Sequence, residues 1–365
     1  MSQTKVEAPF VANNANFRNL FINGDMSIAQ RATSATGLTG SSYPTIDRMA
    51  MQAASAGTWT QSQSTDVPTG EGFATSLKMD CTTANGSLSS GSYLIIDQRF
   101  EGQMLQHLKK GTSNSQKVTL SFFVKSAKTG TYIVNVRDDD NSRSISKSYT
   151  ISSADTWEKK VITFDADTSG ALDNDNAQSF AVLFFLAAGS DRSSGTLATS
   201  WESTTNANRA VGQVNLADST DNDWYLTGVQ LEVGDTASDF EHLPFDVQER
   251  RCFRYMQTLA MTTNSIKVAA ATSSSVAQID FEYPNGEMRT SPTITLPAAG
   301  NSSGTTAFLT AVGAYPSTIG THSVSTATEI HARVTCASYS ANLLAGSAHL
   351  FYSNGTNTFK MSAEL

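Results

Sequence analysis

Apolar and polar residues alternate through most of the chain, the period-two signature of half-buried strands. The clearest case is 117–125. There Val118, Leu120, Phe122 and Val124 fall on one side and Thr119, Ser121 and Lys125 on the other, with Phe123 the exception. Residues 131–137 repeat the pattern with Tyr132, Val134 and Val136. A short link containing Gly130 joins the two, which predicts a hairpin. Further strands are predicted at 19–28 (Leu20, Ile22 and Met26 as its apolar positions), 48–51, 58–60, 73–80, 92–100, 148–151, 160–164, 179–187 and 224–233. About ten strands at a spacing of roughly 8–12 residues predict a β-sandwich. Residues 180–187 are apolar at every position, which places that strand centrally in its sheet.

The period then changes. Over 244–260, Phe245, Cys252, Tyr255, Met256 and Leu259 share one face at helical spacing, while Arg250, Arg251 and Arg254 lie elsewhere. Pro244 suits a first helical turn, and Asp246 and Glu249 sit near the positive end of the helix dipole. This segment is predicted to be a helix connecting two bodies. Beyond it strands return at 276–283, 292–296, 307–312, 322–336 and 348–352, enough for a second, smaller β-sandwich over 261–365. The fold class is therefore all-β.

Composition narrows the functional classes. Only 16% of residues are charged and the formal net charge is −8, so the overall field repels DNA and RNA, and no basic run offsets it. The three cysteines, Cys81, Cys252 and Cys336, form neither a disulfide framework nor a Cys-x-x-Cys zinc site and are expected to be buried thiols. Residues 1–16 carry no apolar signal region, and no apolar run approaches the ~20 residues that span a bilayer. Synthesis in a reducing cytosol and no membrane insertion are expected.

Four separated stretches carry a resemblance. Residues 19–31 (Asn-Leu-Phe-Ile-Asn-Gly-Asp-Met-Ser-Ile-Ala-Gln-Arg) open it; Ser121 to Ser126 with Gly130-Thr131-Tyr132 follow; then come residues 224–234 with Asp239-Phe240-Glu241; last is Arg251-Cys252-Phe253-Arg254-Tyr255. In this order they resemble the carbohydrate-binding-module-like domain of tailed-phage virion proteins and the helix that follows it. Met288-Arg289-Thr290-Ser291-Pro292-Thr293 is similar to a segment of phage tail and fibre tips. The resemblance implies a jelly-roll-type sandwich over 17–243, a virion location and a homotrimer. On that reading residues 1–16 are an arm that anchors the chain to other virion proteins. The apolar helix face, with Cys252, Tyr255, Met256 and Leu259, then meets its copies on a three-fold axis. The C-terminal body is a tip that contacts a host glycan or receptor. A capsid or tail decoration protein and a glycan depolymerase are the alternative readings.

The sequence carries no nucleophile elbow, zinc-protease helix motif, P-loop or dinucleotide fingerprint, and its five histidines show no ligand spacing. No enzymatic activity is expected. Asp165, Asp167, Gly170 and Asp173 match the early positions of a calcium loop, but Asn176 stands where the bidentate Glu belongs. Asp25 and Glu232 are calcium candidates by analogy with sugar-binding jelly rolls. A structural calcium ion is the one cofactor in view. Sugar recognition requires an exposed aromatic face flanked by polar side chains. Trp201, in a Thr/Ser-rich stretch with Asn206 and Arg209 nearby, is the leading candidate, followed by Trp59 and Tyr93. The competing expectation is that Trp201 folds back over a sandwich edge. Trp157 and Trp224 are read as packing residues.

Overall fold

The computed structural model describes residues 17–261, 266–296, 307–310, 321–337, 348–353 and 357–365. The proposed anchoring arm, 1–16, lies outside them, as does the end of the strand predicted at 307–312. The first body contains β1 (Ser34–Leu38), β2 (Ala50–Ala54), β3 (Thr58–Ser64), β4 (Ser76–Thr83), β5 (Tyr93–Glu101) and β6 (Val118–Ser126). It continues with β7 (Gly130–Asp138), β8 (Arg143–Ile151), β9 (Glu158–Phe164), β10 (Gln178–Ala188), β11 (Glu202–Ser203) and β12 (Asp223–Val233). One six-stranded sheet has the order β1-β3-β4-β12-β6-β9 and the other β11-β8-β7-β10-β5-β2. The two pack face to face as a jelly-roll-type sandwich.

Alternation explains the core. Leu120, Phe122 and Val124 of β6 meet Tyr132, Val134 and Val136 of β7 and Phe180, Val182 and Phe184 of β10, all buried. β10 pairs with β5 on one side and β7 on the other, the central place that its unbroken apolar run predicts. Its second face needs apolar residues too, because the stretch 189–214 lies over it. Ala181, Leu183 and Phe185 pack there with Ala210 and Leu197.

Two sequence expectations fail here. β6 and β7 are not a hairpin: β6 pairs with β12 and β9, and β7 with β8 and β10. Three residues, 127–129, carry the chain from one sheet to the other. Three extended residues reach about 10 Å, the thickness of a sandwich core. Second, 19–28 is not a strand. Asn23 and Met26 have left-handed φ of 60° and 59°, which breaks the extended backbone. The segment is instead pinned to the closing strand: Leu20 N donates to Leu231 O (2.9 Å) and the Asn19 side chain donates to Val229 O (3.0 Å).

The predicted helix is shorter than its apolar pattern. It runs Phe245–Phe253, and the chain then extends into β13 (Met256–Met261). The strands that follow are β14 (Ile266–Ala271), β15 (Ala277–Glu282), β16 (Thr293–Thr295), β17 (Ala307–Thr310), β18 (Thr321–Ala327), β19 (His331–Ala337), β20 (Ala348–Ser353) and β21 (Asn357–Ser362). The single strand expected at 322–336 is thus the pair β18 and β19. A three-stranded sheet β13-β21-β16 packs on a six-stranded sheet β17-β20-β14-β15-β19-β18, with Phe281, Val334, Phe359 and Met361 in the core between them. The second, smaller sandwich is therefore present. All three cysteines are buried and unpaired.

The bodies are joined by more than the helix. Residues 362–365 reach back to the jelly roll. The Glu364 carboxylate pairs with Arg48, whose side chain is 0% exposed, and with Arg31 at 3.2 Å. The Arg48 guanidinium also lies 3.6 Å from the Tyr255 ring centroid and donates to Arg99 O (2.5 Å). Tyr43 Oη donates to Leu365 O (3.0 Å), and Arg289 Nη1 to Asn176 O (2.6 Å). Glu101 adds a bidentate pair with Arg254 (2.8 and 2.7 Å) and accepts from Tyr255 Oη (2.5 Å).

Asp47 is buried beside this cluster. Burial pushes its carboxyl up to about 6, against the opposing pull of hydrogen bonds from Gln30 and the charge of Arg31. A raised folded-state value means that the folded chain holds the proton more tightly than the unfolded chain. The contribution is therefore fully present below pH 4 and is lost as the pH rises through 6. Two pH units correspond to about 3 kcal/mol. Chemical-denaturation stabilities of wild type and Asp47→Asn, compared from pH 4 to 7, are expected to diverge by that order, with wild type losing ground as pH rises.

Candidate functional site

The residues predicted to bind sugar do not form one site. Trp59 is 0% exposed in the sandwich core, and its indole N–H donates to Ala56 O (2.7 Å). The alternation of β3 turns it inward, so it is unavailable. Trp201 folds back: its indole N–H donates to Asp165 O (2.7 Å), and its ring packs against the core beneath Lys110 (4.9 Å). Arg209 is 6% exposed, donating to Asn135 Oδ1 (3.2 Å) and Asn206 Oδ1 (3.4 Å). Burial, with Arg137 and Arg192 nearby, pushes its guanidinium down to about 10. Asn206 is exposed beside it. Tyr93 is half-buried under the Arg192 guanidinium (3.9 Å). Only Asn206 and Arg209 come together, in the segment that covers the outer face of the β10 sheet.

The calcium residues do not converge either. Asp167 accepts from Arg143 at 2.7 and 3.0 Å and pairs with Lys110 at 2.8 Å. Burial raises its carboxyl, but these hydrogen bonds outweigh that and hold it below the usual carboxylate range. Asp165 is exposed, with Lys147 at 3.8 Å, and Asp173 is also exposed. Asp25 accepts from Ser27 and Gln248, and Glu232 from Gln230 and Ser238. Lys110 and Arg143 occupy the Asp167 carboxylate, and among the described residues no three His, Cys, Asp or Glu side chains come together as a metal site. The predicted 165–173 calcium loop is therefore not assembled around Asp167. The self-contact residues are likewise corrected. Cys252 and Tyr255 pack inside the chain with Ile22 and Ile28, Met256 is buried in β13, and Leu259 packs on the C-terminal core. Cys252, Tyr255 and Met256 are thus buried within the chain, and Leu259 keeps only part of its surface exposed.

The other outer face, that of β3-β4-β12-β6-β9, carries the aromatic surface that the sequence reading missed. Phe123 points outward from β6, the exception to that strand's alternation. Phe73 packs on it (5.5 Å between ring centroids), Phe240 on Phe73 (5.0 Å) and His242 on Phe240 (4.8 Å). Gly228, at φ +61°, makes room: a Cβ there would stand 2.6 Å from Phe73 Cζ and 3.0 Å from Phe123 Cδ2. These rings floor a pocket of about 200 Å³, rimmed by Glu71, Ser121, Lys159, Asp239 and His242. That is smaller than the ~300–1,000 Å³ of a drug-sized site and on the scale of one sugar ring. Lys159 Nζ lies 5.6 Å from the Phe123 centroid.

The aromatic row continues along the same strands. Tyr225 faces outward opposite Lys125 on β6, and Trp157 meets it edge-on at 6.0 Å. Lys125 Nζ is 4.2 Å and Lys78 Nζ 5.5 Å from the Tyr225 ring centroid. Burial, with Asp223 adjacent, pushes the Tyr225 hydroxyl up to about 12. Asp66 accepts from the Trp157 indole (3.0 Å) and from Lys125. Burial raises the Asp66 carboxyl, and those hydrogen bonds more than offset it. Trp157, half-exposed, is therefore a surface residue with polar neighbours, not turn packing. Phe123, Phe73 and Tyr225 are buried by these contacts, so the ring faces left for stacking are those of the part-buried Phe240 and Trp157, beside carboxylate, ammonium, imidazole and hydroxyl groups. A larger cavity, about 1070 Å³ beside Phe17, adjoins the aromatic pocket at Asp239.

No protein-family model matches the chain, and no curated protein matches it. Among solved structures, it is similar to the enzymatically active domain of bacteriophage CBA120 tailspike protein 4 (TM-score 0.31, 14% identity, 59% of this chain). That match spans about a fifth of the tailspike chain, 21%. It is also similar to TmCBM61 in complex with β-1,4-galactotriose (TM-score 0.30, 7% identity, 59% of this chain and 99% of that one). A third is a family 11 carbohydrate-binding module from Clostridium thermocellum with a mixed-linked tetrasaccharide (TM-score 0.26, 12% identity, 59% and 95%).

Proposed function

We propose that this protein is a glycan-binding virion component of a tailed phage, an appendage that engages the host surface without cleaving it. The carrying observation is the aromatic-floored pocket on the outer face of β6 and β12, with acid, amine, imidazole and hydroxyl groups at its rim. Stacking on a ring's C–H surface supplies affinity, and the rim selects hydroxyl geometry. The phage assignment rests on the ordered sequence motifs from 19 to 255 and on the Met288–Thr293 segment. The pocket lies in the jelly-roll body, so this body, rather than the C-terminal one, is the part assigned to sugar.

Full-length protein on a glycan array of bacterial surface polysaccharides tests the reading. Binding to a defined subset is expected, and Phe240→Ala or Lys159→Ala should weaken it by at least about tenfold (~1.4 kcal/mol) at an unchanged melting temperature. Equal binding by both variants would move the site elsewhere; reducing ends released from a bound polysaccharide would favour the depolymerase reading. Immunogold labelling of intact particles tests the virion assignment separately.

A further inference from the structure

Two cavities meet at the start of the jelly roll and share Phe17, Met104 and Arg251. The larger, about 1070 Å³, runs between 17–20, the 102–107 turn and the 234–239 loop. The smaller, about 400 Å³, has an apolar wall of Phe17, Ile22, Met104, Val247 and Tyr255. Arg250, Arg251 and Arg254 complete that smaller cavity, and no carboxylate lines it. This is unusual in a chain of net charge −8. Arg254 is matched behind the wall by Glu101, but Arg251 has no ion-pair partner among the described residues. Its one hydrogen bond is to Asn19 O (3.1 Å); its Nη1 and the neighbouring Arg18 Nε are enclosed without a hydrogen-bond acceptor. Burial pushes the Arg251 guanidinium down, with Glu241 pulling weakly the other way. Phe17 on the shared wall is 56% exposed, and Phe245, at the start of the helix that supplies Val247, is 60% exposed.

We propose that this groove docks an extended polypeptide segment of a partner protein, one that places a large apolar side chain against Phe17 and Met104 and a carboxylate among the three arginines. Aromatic, Met and Arg side chains are those enriched at the energetic centres of protein interfaces. A carboxylate entering here meets Arg251, whose Nη1 has no acceptor among the described residues, and that unmet hydrogen-bonding capacity is the cost that binding removes. A groove built of two linked cavities suits a chain segment better than a compact solute. The arginine-lined smaller cavity shares no residue with the aromatic pocket, whereas the larger one, which also carries Glu232 and Asp235, meets that pocket at Asp239; the carboxylate is therefore assigned to the smaller cavity.

The test uses full-length protein and a fluorescein-labelled acetyl-Glu-Phe-Pro-Glu-Phe-amide, followed by fluorescence polarisation. Saturable binding with Kd below about 1 mM is expected, at least about tenfold tighter than for the same peptide with Gln in place of Glu. Arg250→Glu and Phe17→Ser alter exposed side chains and leave the fold intact by melting temperature; each should weaken the Glu peptide by about tenfold or more. Absence of saturable binding, equal affinity for the Glu and Gln peptides, or unchanged affinity in both variants overturns the proposal.

Discussion

Replacing Glu364 by Ala should lower stability by about 3–5 kcal/mol, the usual cost of leaving a buried charge without its partner. Arg48 is the reason. Its guanidinium is fully buried, and Glu364 is the only carboxylate paired with it among the described residues. The remaining contacts, Arg99 O and the Tyr255 ring, orient the group but do not neutralise it. Arg31 loses its 3.2 Å partner in the same substitution. Glu364→Gln keeps a hydrogen-bond acceptor and should cost less. Denaturant unfolding measures the loss, and limited proteolysis locates it: cleavage should rise between the jelly roll and the C-terminal body, because the 362–365 stretch is what fastens them. A Gln variant as stable as wild type would show that charge pairing is not what the clasp supplies.

The second large effect lies at Gly24. A Cβ added there would stand 2.0 Å from Val229 O, a backbone atom of the closing strand that cannot swing aside. The two backbones also exchange a hydrogen bond, Val229 N to Gly24 O at 2.9 Å. Gly24→Ala must therefore displace either the opening segment or β12, and β12 sits in the middle of its sheet. Overpacking costs about 1–3 kcal/mol, and the upper end applies here because the opposing atom is backbone. Thermal melts should show a fall of roughly 5–10 °C or more, on the scale of a few degrees per kcal/mol for a domain of this size. Gly40 is the control: it has open space around it, and Gly40→Ala should change little. A Gly24→Ala protein as stable as wild type would mean that the two segments are not in register as described.

Gly24 also shows what a sequence can and cannot reveal. The opening motif was recognisable as a string, yet its alternation of Leu20, Ile22 and Met26 resembles a strand, and only the left-handed Asn23 and Met26 undo that. β6 and β10 were legible because burial dictates their patterns directly: one face in β6, both in β10. The partner of β6 was not, since three residues serve a crossing of the core as readily as a turn. Cys252 remains in the helix, whereas Met256 and Leu259 continue its spacing on paper and are drawn into a strand by the pairing with β21 about a hundred residues later. The calcium-like loop failed for a similar reason, because Lys110 arrives at Asp167 from a distant turn and Arg143 from the start of β8. The binding pocket is assembled from positions near 72, 122, 159, 228 and 241. Two signals pointed to it: Phe123 breaking its strand's alternation, and the aromatic-acid run Asp239-Phe240-Glu241 after the closing strand.

The Arg48–Glu364 pair spans 316 positions of sequence. At a translation speed of about 5–20 residues per second, the ribosome makes Glu364 some 15–60 s after Arg48. Through that interval a nascent jelly roll has either an uncompensated guanidinium in its interior or an unfinished edge around it. Completion of the first body is thereby timed by synthesis of the last, so truncated products should mature poorly and be open to proteolysis.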